Sequence, residues 1–359
     1  MEFSIIDSLD SLHALESAWQ ELWLRQERRH VFQHFDWACS YIQSFCPPLQ
    51  WKVLVAREQG KVVGLLPLAC TRQPGQWRLL GSPNADYQHA LMEGSVAQAM
   101  IRHLAVLGMK VAQFEEMPEG STLLQSLRSC DHSQLMIQRT STCHYLELSA
   151  ETVAGIQRKG GIKDNVRRLA KLGAVDLRII GSAAERVQAL EILFDQHRSR
   201  WDPQGLPSQF HDPATCSFYR RLCEAPGLMS MLHFSILYAG ERPVACHLGF
   251  VAGDRFIYYK PTYDPAVRGA GQVLMSRLMA EAQRMGLKEF DFTRGGEAYK
   301  GTLATGVRYN YEARMFFTAA GWLRHQAAEW LRLRVPRDAA GLALTTKFAR
   351  RIRMLIGEH

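Results

Sequence analysis

The chain has 359 residues, of which 47% are hydrophobic and 22% charged. This length exceeds what one hydrophobic core usually organises, and this composition excludes a disordered or low-complexity chain, so two globular domains are expected. The formal net charge of +8 favours an anionic partner, and a nucleotide, an anionic lipid and RNA all qualify.

The cysteines and the N-terminus indicate the cellular compartment in which the protein is expected. The eight cysteines are scattered without a CxxC pair or a His-rich stretch, which predicts reduced thiols and no metal site. The N-terminus has no basic segment followed by a long apolar run. No stretch approaches the roughly 18 uninterrupted apolar residues that span a bilayer. A cytoplasmic protein is therefore expected.

The first half alternates helical and strand patterns, which predicts an α/β (α+β) fold class. Two apolar runs flank Glu58-Gln59-Gly60, a turn of hairpin length in which glycine suits a positive φ, and they predict an antiparallel pair. The predicted elements are, in chain order, a strand at Phe3–Ile6, helices at Leu12–Arg25 and Trp37–Phe45, strands at Lys52–Arg57, Lys61–Cys70 and Arg78–Leu80, a helix at Val96–Leu107, a strand at Val111–Glu115, a helix at Thr122–Ser129, and a strand at Leu135–Arg139. The segment Tyr145–Leu148 ends this unit.

A change of composition marks the predicted domain boundary near residue 150. Between Gly155 and Gly173 the chain carries six basic residues against the single acid Asp164. We therefore predict an N-terminal domain over 1–149 and a C-terminal domain over 150–320.

The second half repeats the element order of the first, which predicts two tandem copies of one fold, each a mixed sheet flanked by helices. Its predicted elements are helices at Ala184–Arg200 and Thr215–Glu224, a hairpin of Met231–Tyr238 with Arg242–Val251, a strand at Arg255–Tyr263, a helix after Gln272, and a strand at Lys288–Thr293.

A glycine-containing loop opens the helix of this second half. Unpaired N–H groups at the positive end of a helix dipole bind phosphate readily, and Arg268 adds a charge. The alternative is an ordinary strand-to-helix turn in which glycine serves backbone geometry, because short Gly-rich motifs match by chance often. The predicted cofactor-binding residues are Arg268, Gly269, Ala270, Gly271 and Gln272.

The next strand and turn, KEFDFTRGGEAYK over 288–300, resemble the signature of double-GNAT proteins of the CelD type, which are linked to cellulose and exopolysaccharide synthesis and related to the FemX/FemAB aminoacyl transferases. Weaker support comes from Asp86-Tyr87, from the basic segment with Arg167-Arg168, and from Arg200-Trp201. The resemblance covers roughly residues 1–320. It implies a GNAT fold for each half and transfer of an acyl group to an amine or hydroxyl.

One departure bears on the acyl donor, which the resemblance implies to be acyl-CoA. The usual GNAT loop has the form Gln/Arg-x-x-Gly-x-Gly/Ala, whereas this loop ends in Val273. A β-branched side chain there is expected to crowd a pyrophosphate. An acyl-carrier or aminoacyl-tRNA donor, as in the Fem relatives, is the alternative.

Acyl transfer needs a general base and stabilisation of developing charge. Asp291 alternates with phenylalanines in an apolar strand, where burial raises the pKa of a carboxyl toward the range of a base. Glu297 is the second candidate, and the sequence does not separate the two. Lys300 is predicted to hold a phosphate or an oxyanion, as is Arg294. The competing interpretations are a structural carboxylate and solvated surface charges.

Other residues are predicted to bind the substrate, against the default of packing or helix-end stabilisation. His247, on a strand, is interpreted as a packed residue. The predicted substrate-binding residues are Arg198, Arg200, Trp201, Tyr259, Tyr263, Arg294 and Tyr299.

Three functions follow. The first is an acyltransferase acting on a sugar, a lipid-linked sugar or a small amine in envelope or exopolysaccharide synthesis. The second is a non-catalytic double-GNAT module that binds a nucleotide and regulates a synthase. The third is contact with RNA, or with a charged tRNA donor, through the basic segment.

The tail over 321–359 carries eight basic residues against three acids, interleaved with apolar residues at helical spacing. This pattern predicts amphipathic helices with basic faces and, as one use of them, peripheral contact with an anionic inner membrane. Packing of the helix on the catalytic domain is the alternative.

Overall fold

The computed structural model describes residues 1–46 and 50–334. Within these ranges thirteen strands form one mixed sheet flanked by helices, so the predicted α/β fold class is confirmed. The strands are β1 (Glu2–Ile6), β2 (Trp51–Glu58), β3 (Lys61–Cys70), β4 (Gln76–Leu79), β5 (Leu91–Met92), β6 (Val111–Pro118), β7 (Leu135–Glu147), β8 (Val175–Ile180), β9 (Leu232–Ala239), β10 (Arg242–Ala252), β11 (Arg255–Tyr263), β12 (Glu289–Arg294) and β13 (Gly306–Phe316).

Helices connect these strands, and none in the described ranges is both long and apolar enough to cross a membrane. They are α1 (Leu9–His13), α2 (Glu16–Arg25), α3 (Phe35–Phe45), α4 (Gly94–His103), α5 (Thr122–Arg128), α6 (Ala150–Arg158), α7 (Gly160–Ala170), α8 (Ala183–Trp201), α9 (Pro213–Glu224), α10 (Ala270–Arg284), α11 (Ala298–Leu303) and α12 (Ala319–Arg334).

The two halves repeat one element order. In the sheet, β1-β2-β3-β4-β6 of the first half corresponds to β8-β9-β10-β11-β12 of the second. In each half a hairpin leads to a strand that pairs in parallel with a strand beyond the next helix, β4 with β6 and β11 with β12. Both hairpin turns carry glycine in the left-handed region, at Gly60 (φ 78°) and Gly240 (φ 64°). The boundary at residue 150 stays a prediction.

The last strand of each half pairs within the other half. β13 lies between β6 and β7, and β7 lies between β13 and β12, so the sheet is continuous across both halves. The strand predicted at Leu135–Arg139 extends to Glu147, so its predicted end was wrong. A single strand runs through Thr140–His144 because β13 pairs with it over almost its full length.

Three apolar clusters form the core. One joins the halves on one face of the sheet, where α3 packs on α9 and the rings of Trp37 and Phe218 have centroids 5.1 Å apart. On the other face α4 and α5 cover the first half, while α6, α7 and α10 cover the second. The core shared by both halves fixes their relative position.

The parallel strands β11 and β12 separate along their length. They pair only from Arg255 with Glu289 to Ile257 with Asp291. A register shift follows in β12, where Thr293 has φ 58°. Beyond this point β11 leads to the glycine loop and β12 to the charged turn, which places the two predicted site segments around one opening.

Candidate functional site

The loop before α10 has the geometry of an anion cradle. Gly269 caps the helix with φ 90°, in the left-handed region that glycine adopts most readily. The N–H of Ala270 donates to Val267 (3.2 Å) and that of Val273 to Gly269 (3.1 Å). Within the described chain, the N–H groups of Gly271 and Gln272 have no such backbone partner, as expected for a helix start. These two donors lie at the positive end of α10.

Both glycines are required by close neighbours. A Cβ on Gly269 would lie 2.3 Å from Cγ of Asn165, and one on Gly271 would lie 2.8 Å from the ring of Tyr263. Real Cβ atoms do not approach other heavy atoms this closely. The loop therefore fits tightly between α7 and β11.

A polar contact fixes α7 against this loop. Asn165, which is 8% exposed, donates to Oε1 of Gln272 at 2.5 Å. Arg168 donates in turn to Oδ1 of Asn165 at 2.6 Å. The Arg168 guanidinium thus stands beside the start of α10.

A cavity of about 960 Å³ opens beside this loop. Its walls come from α7, the end of α8, β11, the start of α10 and the turn after β12. It brings together eight of the predicted site residues, namely Arg200, Tyr263, Arg268, Gly269, Gly271, Gln272, Glu297 and Tyr299. From the sequence alone, the glycine loop and the charged turn were expected to lie together only because each follows one of two consecutive strands.

The cavity combines cations with tyrosine hydroxyls. Arg168, Arg200 and Arg268 line it, and the Arg200 guanidinium lies 4.5 Å from the Tyr263 ring centre. Burial raises the pKa of Tyr299 to about 12 and that of Tyr258 well above its usual value. Both hydroxyls therefore keep their protons at neutral pH and can donate to a developing negative charge.

Comparison with known proteins supports this geometry. Residues 157–301, which span α7 to α11, match the acetyltransferase (GNAT) domain family. No curated protein matches the chain.

Solved structures extend the likeness to most of the chain. FemX superposes with a TM-score of 0.61 at 10% identity, covering 88% of this chain and 97% of that one. The C-terminal domain of a putative lysylphosphatidylglycerol synthetase from Agrobacterium fabrum gives 0.53 at 11%, covering 89% and 97%. L-PGS from Bacillus licheniformis gives 0.53 at 11%, covering 83% and 95%. At such identities the likeness establishes the fold.

Val273 does not crowd the GNAT loop, contrary to our expectation. Its side chain is fully buried in the apolar cluster beneath α10, as is that of Ala270, because both point toward the sheet. Neither side chain lines the cavity. Val273 therefore does not obstruct access from the cavity to the loop backbone or to Arg268.

Lys300 lies on α11 next to Glu297, but its side chain is only 5% exposed. Its ammonium pairs with Glu297 (2.9 Å) and donates to the carbonyl of Arg294 (2.8 Å). Glu297 lines the cavity and Lys300 does not. This placement suits Lys300 to holding the turn, and its predicted catalytic role stays a prediction.

Asp291 is 1% exposed and lies apart from the cavity. Oδ1 accepts from the Tyr87 hydroxyl (2.7 Å) and from the N–H of Thr293 (2.8 Å), while Oδ2 has no partner in the described chain. Burial raises the pKa of this carboxyl, against the lowering effect of the Tyr87 hydrogen bond. Glu297 is therefore the better-placed candidate base.

Arg294 faces the first half of the chain. Its guanidinium pairs with Asp86 (2.7 Å) and Glu116 (3.3 Å) and donates to the carbonyl of Pro83 (2.6 Å). The two carboxylates are 7% and 13% exposed. Arg294 thus neutralises two buried charges between the halves and does not line the cavity.

We expect Arg294→Met to destabilise the protein by about 3 kcal/mol, because two buried carboxylates lose their cation. Urea unfolding at neutral pH measures this loss. The matched control is Arg284→Met, which breaks a pair of Arg284 with Glu281 whose guanidinium is 72% exposed and should change stability by about 0.5 kcal/mol or less. Equal effects of the two substitutions would show that Arg294 is solvated.

Three further residues predicted to bind the substrate do not line the cavity, and their role stays a prediction. Arg198 donates to the carbonyl of Phe210 (2.8 Å) and pairs with Asp195. Trp201 stacks beside Arg200 without lining the cavity. Tyr259 is buried and donates to the carbonyl of Asn84 at 2.6 Å. His247 is fully buried, and neither of its ring nitrogens has a hydrogen-bond partner within the described residues.

Sequence reasoning missed Asn165 as part of the cavity, and it assigned Arg168 only to a general basic surface. It considered stacking of Tyr258 on a ligand but did not include this residue among the predicted site residues. The signal for Asn165 was a polar residue on the buried side of an amphipathic helix, a position that normally requires a hydrogen-bond partner. In the described ranges no group of three or more His, Cys, Asp or Glu side chains is arranged to hold a metal ion.

Proposed function

We propose that the chain is an acyltransferase that binds the phosphates of an acyl donor at the start of α10 and transfers the acyl group to an amine or hydroxyl. The observation that carries this proposal is one cavity with free N–H groups, Arg268 and protonated tyrosine hydroxyls. GNAT domains use acyl-CoA, and a cavity of about 960 Å³ is large enough for a phosphopantetheine arm.

The reaction follows from the cavity's groups. Glu297 takes the proton of the acceptor amine or hydroxyl as that atom attacks the acyl carbonyl carbon. The carbonyl oxygen gains negative charge, and the hydroxyls of Tyr258 and Tyr299 donate to it. The carbon–sulfur bond then breaks, and the leaving thiolate takes a proton from one of these groups or from water. A new amide or ester and a free thiol result.

We further propose an acceptor that is a sugar or lipid-linked sugar of envelope or exopolysaccharide synthesis, and a cytoplasmic location. The acceptor proposal rests on the resemblance of the turn over 288–300 to CelD-type proteins, and the proposed location rests on the scattered cysteines, which predict reduced thiols. Membrane contact through the tail also stays a proposal. Only the first part of the tail, up to Arg334 at the end of α12, is described, and residues 335–359 lie outside the described ranges.

An aminoacyl-tRNA is the second candidate donor, and a specific surface favours it. All six basic residues of α6, α7 and the turns beside them are exposed, and Arg168 reaches the cavity. The fold likeness to FemX and to lysylphosphatidylglycerol synthetases is consistent with this donor. A polyanion lying across this surface would bring its charged end to the cavity.

Labelled acetyl-CoA, acyl-carrier and aminoacyl-tRNA donors, each mixed with the purified protein and a panel of amines and sugars, test the proposal. We expect one donor to be consumed, and Arg168→Ala to reduce its use about tenfold through loss of a charge contact. The control is Arg178→Ala, an exposed residue of β8 away from the cavity.

The dependence of the reaction on salt concentration distinguishes an aminoacyl-tRNA donor from acyl-CoA. Use of tRNA should fall steeply with salt concentration, whereas use of acyl-CoA should fall little. Consumption of none of the donors, or equal loss in both variants, would contradict the proposed site.

A further inference from the structure

A second cavity of about 730 Å³ lies between the halves and shares no lining residue with the first. The loop after α2 and the loop after β6 form one side of it. The β10–β11 turn and the starts of β11 and β12 form the other, and β13 closes it. It is therefore built by both halves at the paired end of β11 and β12, away from the glycine loop.

Two residues that line this cavity have buried polar atoms without partners in the described chain. Arg255 is 5% exposed, and its Nη1 has no partner in the described chain. Its Nη2 donates to the carbonyl of Arg29. His30 is 3% exposed, and its Nδ1 is also unpaired. A buried guanidinium with an unmet donor is costly unless a partner occupies the adjacent space.

The acids nearby do not supply that partner. Glu289 accepts from Arg28 (2.8 Å) and from Arg308 (2.6 Å), which leaves Arg255 without an ion pair within the described chain. Three further acids, Glu27, Glu119 and Asp254, are exposed at the mouth. Water screens charges at the mouth more than charges at the floor.

We propose that this cavity binds a small molecule through an oxyanion, carboxylate or phosphate, held by Arg255 with His30 and Arg29 beside it. The Nη1 of Arg255 donates a charge-assisted hydrogen bond to the oxyanion. Burial and the neighbouring arginines lower the pKa of His30, so the neutral ring adds a hydrogen bond and no charge. A ligand here contacts both halves at once and stabilises their arrangement.

Calorimetric titration of the full chain with sodium phosphate and, separately, with sodium succinate tests this inference, with sodium chloride at equal ionic strength as the reference. We expect at least one oxyanion to bind, and Arg255→Met to weaken its binding by about tenfold to a hundredfold. The two salts show whether phosphate or carboxylate is preferred. Arg29→Gln, at a partly exposed position, should weaken binding several-fold and serves if Arg255→Met does not fold.

Arg268→Ala is the matched control, since Arg268 lines the other cavity. This substitution should leave the affinity for the oxyanion unchanged. The inference is overturned if neither oxyanion binds, if Arg255→Met and Arg29→Gln both bind as tightly as the unaltered protein, or if Arg268→Ala abolishes binding. The last result would place the ion at the start of α10.

Discussion

Glu297→Gln is expected to lower kcat/KM by about 10²–10⁴-fold, the usual contribution of a general base. The glutamine keeps the size of the side chain and removes its ability to accept a proton. Steady-state rates with the donor identified by the labelling experiment measure the effect. The free energy of unfolding should fall by about 1–3 kcal/mol, because the Lys300 ammonium, which is 5% exposed, keeps the Arg294 carbonyl but loses its counter-charge.

Asp291→Asn is the matched carboxylate control and should retain most of the activity, since Asp291 does not line the cavity. Its effect is on stability. Burial raises the folded-state pKa of Asp291 above its ordinary value of 3.8, so the folded protein binds more protons than the unfolded chain between these two values. Stability then falls as the pH rises through this interval.

The asparagine variant should not lose stability with rising pH in this way. The difference between its free energy of unfolding and that of the unaltered protein should therefore grow in its favour from about pH 4 upward. Thermal unfolding across pH 3.5 to 8 follows it. If Asp291→Asn abolished activity while Glu297→Gln did not, the two carboxylates would exchange roles.

Gly269→Ala is expected to weaken donor binding by about tenfold or more and to destabilise the protein. The alanine is strained at φ 90° by roughly 1 kcal/mol. Its Cβ also meets Asn165 at 2.3 Å and so displaces the side chain that holds Gln272. Donor titration and urea unfolding measure the two effects.

The other end of the same helix supplies the control. Gly286 has φ 74°, and a Cβ there meets no atom within 4 Å. Gly286→Ala therefore carries the backbone strain without the collision and should leave donor affinity unchanged. Equal donor affinities for Gly269→Ala and Gly286→Ala would mean that the loop adjusts and that contact with Asn165 is not needed.

The sequence predicted both hairpins, the glycine loop and several of the other helices and strands, because each of these depends on local periodicity or on a turn residue, but it predicted neither β8 nor β13. It also brought Arg268 and Glu297 to one opening, since both follow neighbouring strands. It did not predict which half β13 pairs with. Strand pairing over long sequence separations depends on tertiary packing, which local patterns do not encode.

The directions of the side chains could not be predicted from the sequence either. Lys300 and Glu297 lie three residues apart in one turn, yet one points inward and the other into the cavity. The second cavity joins Arg255 to the loop after α2, far away in the sequence. A lone arginine at the start of a strand gives no local sign of such a partner.

Each of β7 and β13 pairs with strands of the other half, and this affects how the chain folds during its synthesis. While β7 leaves the ribosome, its partner β13 has yet to be synthesised, and at cellular elongation rates the wait is on the order of ten seconds. Throughout this time the nascent N-terminal half has an unpaired edge at β6. Such an edge is open to pairing with another chain, so β7 and β6 are the segments a chaperone would have to cover during translation.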